Sequence, residues 1–213
     1  MYEILRNTYL VVLCVAVLYA VFHFRRIRRA GGGLLVGVLV VTLLVEGTGL
    51  GALKLFRKNL VWLFNLYTLL IFPLYLAILS KPLAGRFQKA FPVMVGAFLV
   101  FGFLNLLFWQ GLHQFNHYTL LLGACLLIVS SLLYFRSRFD NLQDDLLKSW
   151  LFYVVTGLLL YFTGTLLYFG FSSYLYQLDV AWFEKMNIIL QLMNIMLYSM
   201  FGIALLCLTR RPR

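Results

Sequence analysis

The chain has 213 residues, of which 63% are hydrophobic, 17% aromatic and only 12% charged, with a formal charge of +11. A soluble domain carries about a quarter charged residues, so the composition excludes one and leaves an integral membrane protein. The excess of basic residues is no footprint of nucleic acid either, because they stand at the ends of apolar stretches, where positive charge sets orientation.

Seven apolar stretches, roughly 8–27, 33–53, 59–79, 90–110, 117–135, 149–171 and 185–208, each approach the roughly 20 residues that cross the hydrocarbon. They are continuous rather than alternating, so helices are expected and not barrel strands. The predicted fold class is all-α, a polytopic seven-transmembrane-helix bundle in a single domain spanning 1–213. The first stretch reads as a retained helix and not a cleaved signal, since Arg25, Arg26, Arg28 and Arg29 follow it and no small-residue cleavage site is evident. Gly31, Gly32 and Gly33 mark a turn. The second stretch carries Glu46, the one acid deep inside a span, followed by Gly47, Gly49 and Gly51. Gly47 and Gly51 form a GxxxG pair that predicts close helix approach.

The third stretch brings Asn65, Thr68 and Pro73, and ends at a Lys81, Pro82 and Gly85 turn; the fourth brings Pro92, Asn105 and Gln110. The prolines predict kinks. The connector 136–148 mixes Asp140, Asp144 and Asp145 with Arg136, Arg138 and Lys148, and reads as a solvated loop, a short interfacial helix or a docking surface. Tyr161, Thr163 and Thr165 lie in the sixth stretch. The connector 172–184 holds Tyr174, Tyr176 and Trp182, an aromatic composition suited to the headgroup layer. In the last stretch Asn187, Gln191, Asn194 and Tyr198 recur at steps of four, three and four, which places them on one helical face turned towards protein.

Placing the N-terminus outside and the C-terminus in the cytoplasm puts Arg25, Arg26, Arg28, Arg29, Lys81, Arg86, Lys89, Arg136, Arg138, Lys148, Arg210, Arg211 and Arg213 inside, against Arg6, Lys54, Arg57, Lys58 and Lys185 outside. In that orientation the polar residues gather in the outer half. The ligand-binding set expected from the sequence is Glu46, Asn65, Thr68, Asn105, Tyr161, Gln191, Asn194 and Tyr198, lining a pocket open to the outside. The same amides could instead be interhelical glue, worth about 0.6 kcal/mol per bond.

No catalytic residue, cofactor or metal is expected. Cys14, Cys125 and Cys207 lie within spans and give no disulfide or metal spacing. His113 and His117 have the i, i+4 spacing that binds zinc on a helix, but they fall in a short connector without a third ligand. A retinal Schiff base needs a lysine in the last helix, and none stands between Asn187 and Leu208.

Several phrases carry a resemblance. Glu46-Gly47 stands in the second helix, Asn59-Leu60-Val61-Trp62-Leu63-Phe64-Asn65-Leu66-Tyr67-Thr68 opens the third, Gly157-Leu158-Leu159-Leu160-Tyr161-Phe162-Thr163-Gly164 lies in the sixth and Met193-Asn194-Ile195-Met196-Leu197-Tyr198 in the seventh. Together they resemble a family of small seven-helix membrane proteins of Bacteroidetes. The resemblance implies a bacterial inner-membrane protein with the N-terminus outside, and matches Glu46, Asn65, Tyr67, Tyr161, Asn194 and Tyr198 to the family pattern. The chain departs from it near Phe72, where the pattern leads one to expect an acid. The function expected is a sensory or receptor-like module. Its partners would be membrane lipids, a small-molecule or lipid ligand, and a membrane or cytoplasmic signalling protein. A proton- or cation-coupled transporter using Glu46, a lipid-modifying enzyme and a structural subunit are the alternatives.

Overall fold

In a computed structural model the described residues are 2–56, 60–83, 86–139, 146–178 and 180–210, the side chains of 53–56, 86, 87, 139, 172–178 and 180–184 excepted. All the regular structure among them is helical. In chain order the helices are α1 (Tyr2–Phe22), α2 (Phe24–Arg29), α3 (Gly33–Phe56), α4 (Val61–Ser80), α5 (Arg86–Leu104), α6 (His117–Phe139), α7 (Trp150–Leu178) and α8 (Val180–Arg210). Seven of them, all but α2, contain a stretch long and apolar enough to cross a membrane.

Three boundaries differ from the sequence reading. Helix α1 begins at Tyr2 and not near residue 8, because 2–7 continue the helix ahead of the uninterrupted apolar run although they include Glu3 and Arg6. It also stops at His23: the backbone turns there and restarts as the six-residue α2, whose Ile27 is wholly buried while its four arginines are exposed. Most of the expected connector 172–184 is helical, since 172–178 end α7 and 180–184 begin α8. No glycine or proline interrupts that segment. At 1.5 Å per residue the 29 residues of α7 and 31 of α8 make helices of about 43 and 46 Å, longer than the ~30 Å hydrocarbon. The acidic part of connector 136–148 lies outside the described residues, as do Arg211 and Arg213.

Spans consecutive in the chain run antiparallel, so two ends can be named. At one stand Tyr2, the start of α4, the end of α7 and the start of α8; at the other, α2, Lys81, Arg136, Arg138, Lys148 and Arg210. The packing order is α1 against α3 and α8, α3 against α4, α4 against α5 and α6, α6 against α7, and α7 against α8. Helix α4 also reaches across the bundle. Phe72 packs its ring against Phe98 of α5 and Phe162 of α7, at 5.4 and 5.3 Å between centroids, and Tyr75 contacts Phe162 and Phe201 of α8, at 6.3 and 6.2 Å. The central helix is thus held by an aromatic cluster in its second half.

Small residues permit this approach. A Cβ on Gly123 of α6 would enter the Phe72 ring, and one on Gly102 of α5 would meet Leu69. Gly157 and Gly164 of α7 similarly seat Met200 and Met193 of α8, at 3.0 and 2.9 Å from the position a Cβ would take. The expected Gly47 and Gly51 pair does no such work within the chain, for a Cβ at either meets nothing within 4 Å. It is the glycine between them, Gly49, that lies 2.9 Å from the Phe64 ring. Gly31 is needed for another reason: its φ of +88° ends α2, and Lys81 Nζ donates to its carbonyl at 3.0 Å.

Replacing Gly123 by valine is expected to lower stability by roughly 1–3 kcal/mol through overpacking against Phe72. Gly47→Ala should leave it unchanged. Thermal melting in detergent distinguishes the two, and equal melting would mean that α4 does not depend on the glycine contact.

Candidate functional site

Hydrocarbon offers no water, so a carboxyl or amide inside a span needs a protein partner or a wet cavity. Glu46 finds one across the α1–α3 contact: the Tyr9 hydroxyl donates to its Oε2 at 2.8 Å. One turn towards the basic end, Thr42 of α3 lies 2.9 Å from the Tyr67 hydroxyl of α4 and donates to the Val38 carbonyl at 2.8 Å. Helix α3 is therefore polar towards both neighbours, through residues four apart on one face. Tyr9 also stacks on Tyr198 of α8, with centroids 6.3 Å apart and planes inclined by 24°. Tyr67, Tyr161 and Tyr198 lie within electrostatic range of Glu46. A single carboxyl thus stands among phenols from α1, α4, α7 and α8.

The relation between α1 and α8 sets what lies above it. Tyr9 faces Tyr198, and the Tyr19 hydroxyl lies 2.6 Å from Thr209 Oγ1, so the two helices run parallel and Tyr2 is level with Gln191. The Arg6 side chain reaches towards that level, its guanidinium 5.7 Å above the Tyr2 ring. The Arg6 Nε and the Gln191 Oε1 are both buried without a protein partner among the described residues. One is a donor and the other an acceptor. Between Gln191 and the membrane surface, the Tyr168 hydroxyl donates to Asn187 Oδ1 at 2.8 Å.

The expected ligand set divides in two. Glu46, Tyr161, Gln191, Asn194 and Tyr198 belong to the region just described. Gln191 and Tyr198 are buried and Asn187 and Asn194 half-buried, so the polar stripe of α8 does face protein. Asn65 and Asn105 do something else. Asn65 donates through Nδ2 to the carbonyls of Leu112 and Gln114, at 3.1 and 2.8 Å, and accepts from the Asn116 N–H at 3.1 Å. Asn105 Nδ2 lies within hydrogen-bond distance of Gln110 Oε1 at 2.8 Å, of Asn116 Oδ1, and of Thr119 Oγ1 at 3.2 Å, its two hydrogens shared among the three acceptors. A widened turn at Asn105–Trp109, closed by Gln110 N–H on the Asn105 carbonyl at 2.9 Å, brings its side chain inwards. These two amides fasten the α5–α6 connector over the start of α4. Thr68 bonds within its own helix, donating to the Phe64 carbonyl at 2.9 Å.

The residues that sequence reasoning did not assign to the site are Arg6, Tyr9 and Thr42. Tyr2, Arg6 and Tyr9 recur at steps of four and three, the same helical signature as on α8, and that match could have singled them out. His113 lies exposed in the connector and His117 opens α6 half-buried, so the pair is not on one helix and its spacing carries no zinc geometry. The basic half is poorer in buried polar groups, with Ser130, Ser131 and the Tyr134 hydroxyl of α6 and Thr209 of α8, and the cluster of Phe72, Tyr75, Phe162 and Phe201 begins on that side of Tyr198, whose ring meets Phe201.

Two outcomes follow. Tyr9→Phe should lower bundle stability by about 0.6 kcal/mol in the wild-type background and by nothing further in Glu46→Leu, as a double-mutant cycle would read. Asn65→Leu strands two carbonyls and an N–H, each costing about 1–3 kcal/mol if left buried, and should speed hydrogen exchange at 112–119 without altering exchange around Glu46.

No family model, curated protein or solved structure matches the chain.

Proposed function

We propose that the protein is a receptor-like membrane module in which the Glu46–Tyr9 hydrogen bond is a clasp that a small polar ligand, entering from the Tyr2 end, opens. The observation that carries this reading is the bond itself. It is the contact by which the one carboxyl deep in a span ties α3 to α1, and towards the Tyr2 end from it lie a buried donor and a buried acceptor, Arg6 Nε and Gln191 Oε1, that have no partner among the described residues. A ligand that supplies an acceptor to Arg6 and a donor to Gln191 or Glu46 would compete with Tyr9 and bias the α1–α3 contact. Only such differential binding shifts a bundle between two states.

The orientation we propose has the Tyr2 end outside and the arginine-rich end in the cytoplasm of a bacterial inner membrane. Among the described side chains the first end carries Arg6 and Lys185, and the second Arg25, Arg26, Arg28, Arg29, Lys81, Lys89, Arg136, Arg138, Lys148 and Arg210. A signalling partner would then read the basic end. The aromatic cluster between Glu46 and that end favours a receptor over a proton or cation path, which needs polar groups along the whole bundle.

Native mass spectrometry of wild type and Glu46→Ala, released from lipid nanodiscs, tests the reading. A small molecule retained by wild type and lost in the variant is the expected result. Proton flux in liposomes that disappears in Glu46→Gln would make the protein a transporter instead. A change in stability alone, with nothing retained and no flux, would make the carboxyl a structural lock.

A further inference from the structure

Outside the polar core, the lipid-facing seam between α1 and α8 contains a groove of about 280 Å³. Val11, Val15 and Tyr19 form one wall, and Ser199, Gly202 and Leu206 the other. The lining is almost wholly apolar, and the groove is nearly twice the ~150 Å³ of an apolar cavity that takes up benzene. It is shaped by a missing side chain: a Cβ at Gly202 would meet nothing within 4 Å. Val11 and Val15 are about three-fifths exposed beside it.

An apolar groove in a bilayer has no preference of its own, because the surrounding lipid tails are as apolar as its walls. Selectivity has to come from its ends, and here both walls run to cationic or ionisable groups. Continuing the α8 face by one turn leads from Leu206 to Arg210, which is exposed; continuing the α1 face leads from Tyr19 to His23, whose ring stacks on Tyr19 at 4.4 Å. The chain then turns into α2, which packs against α8 and exposes Arg25, Arg28 and Arg29 at the same end. An apolar slot about 12 Å long, from Val11 to Tyr19 at 1.5 Å per residue, opening onto a cluster of arginines is complementary to one kind of molecule. We infer that the α1–α8 groove is a binding site for an anionic phospholipid, with an acyl chain along Gly202 and the headgroup phosphate among Arg210 and the arginines of α2.

The groove lies outside the polar core and shares with it only Tyr198 among the residues named, and its test does not depend on the reading proposed for that core. Full-length protein is exchanged into nanodiscs of equimolar palmitoyl-oleoyl phosphatidylglycerol and phosphatidylcholine, and lipid retained on release is counted by native mass spectrometry. One phosphatidylglycerol per chain is expected for wild type, in preference to phosphatidylcholine. Gly202→Phe fills the groove from one wall and Val15→Trp from the other, and each should release that lipid while melting within a few degrees of wild type. Arg210→Gln with Arg25→Gln should leave lipid bound but reduce the preference by roughly fivefold for each arginine removed. Equal retention of the two lipids by wild type would overturn the inference. So would wild-type retention by both filled variants, or a dimer that both variants dissociate, which would give the groove to a second copy of the chain.

Discussion

The constraint on which the bundle turns is that Glu46 cannot be left alone in hydrocarbon. Its cost would fall on any arrangement that exposed it to lipid, and the fold meets this by bringing a tyrosine of α1 to 2.8 Å from the carboxyl. That bond fixes the rotation of α3, since the residue one turn away on the same face, Thr42, must then point towards α4, where it meets Tyr67. It fixes α1 as well. Tyr9 stacks on Tyr198, so the helix that satisfies the acid also sets the register of α8. One unavoidable polar group thereby orients four helices.

The rest of the packing follows from what apolar helices can use when hydrophobic burial does not discriminate between protein and lipid. Close van der Waals approach is the remaining resource, and it appears where glycine meets a large side chain: Gly123 with Phe72, Gly102 with Leu69, Gly157 and Gly164 with methionines of α8. Helix α4 receives two of these contacts, which is why its aromatic residues can extend to α7 and α8 and close the half of the bundle beneath Glu46. The polar and closely packed halves are complementary solutions to the same solvent.

This explains what was legible in the chain. A membrane span is written in composition, and an acid within it is rare enough to point to itself, so the seven helices and Glu46 can be read directly. Its partner cannot, because tyrosine on an apolar helix is common and Arg6 near a helix start resembles any orienting charge. Asn65 and Asn105 looked like ligand residues because an amide in a span looks the same whether its partner is a ligand or a carbonyl; Leu112 and Gln114, which hold Asn65, are 47 and 49 positions away. The glycines show a related ambiguity. Gly47 and Gly51 have the spacing of a packing motif, but which face of α3 meets a neighbour is decided by the Glu46 bond, and that rotation leaves Gly49 against Phe64. Helix ends were blurred for a simpler reason, that hydropathy falls where the membrane ends and not where the helix does.

Tyr198 belongs to both regions that we assign. One side of its ring packs on Tyr9, the donor to Glu46, and the residue also lines the α1–α8 groove. Any change in how closely α1 lies against α8 therefore bears on the geometry of the carboxyl clasp, and any change in the clasp bears on the groove. If the two ligands bind as proposed, linkage requires that any coupling be reciprocal: where the lipid favours the clasped state, a ligand that draws Glu46 from Tyr9 weakens the hold on the lipid by the same factor. The tyrosine needs no second position for this, since a shift of the α1 helix relative to α8 alters both contacts at once.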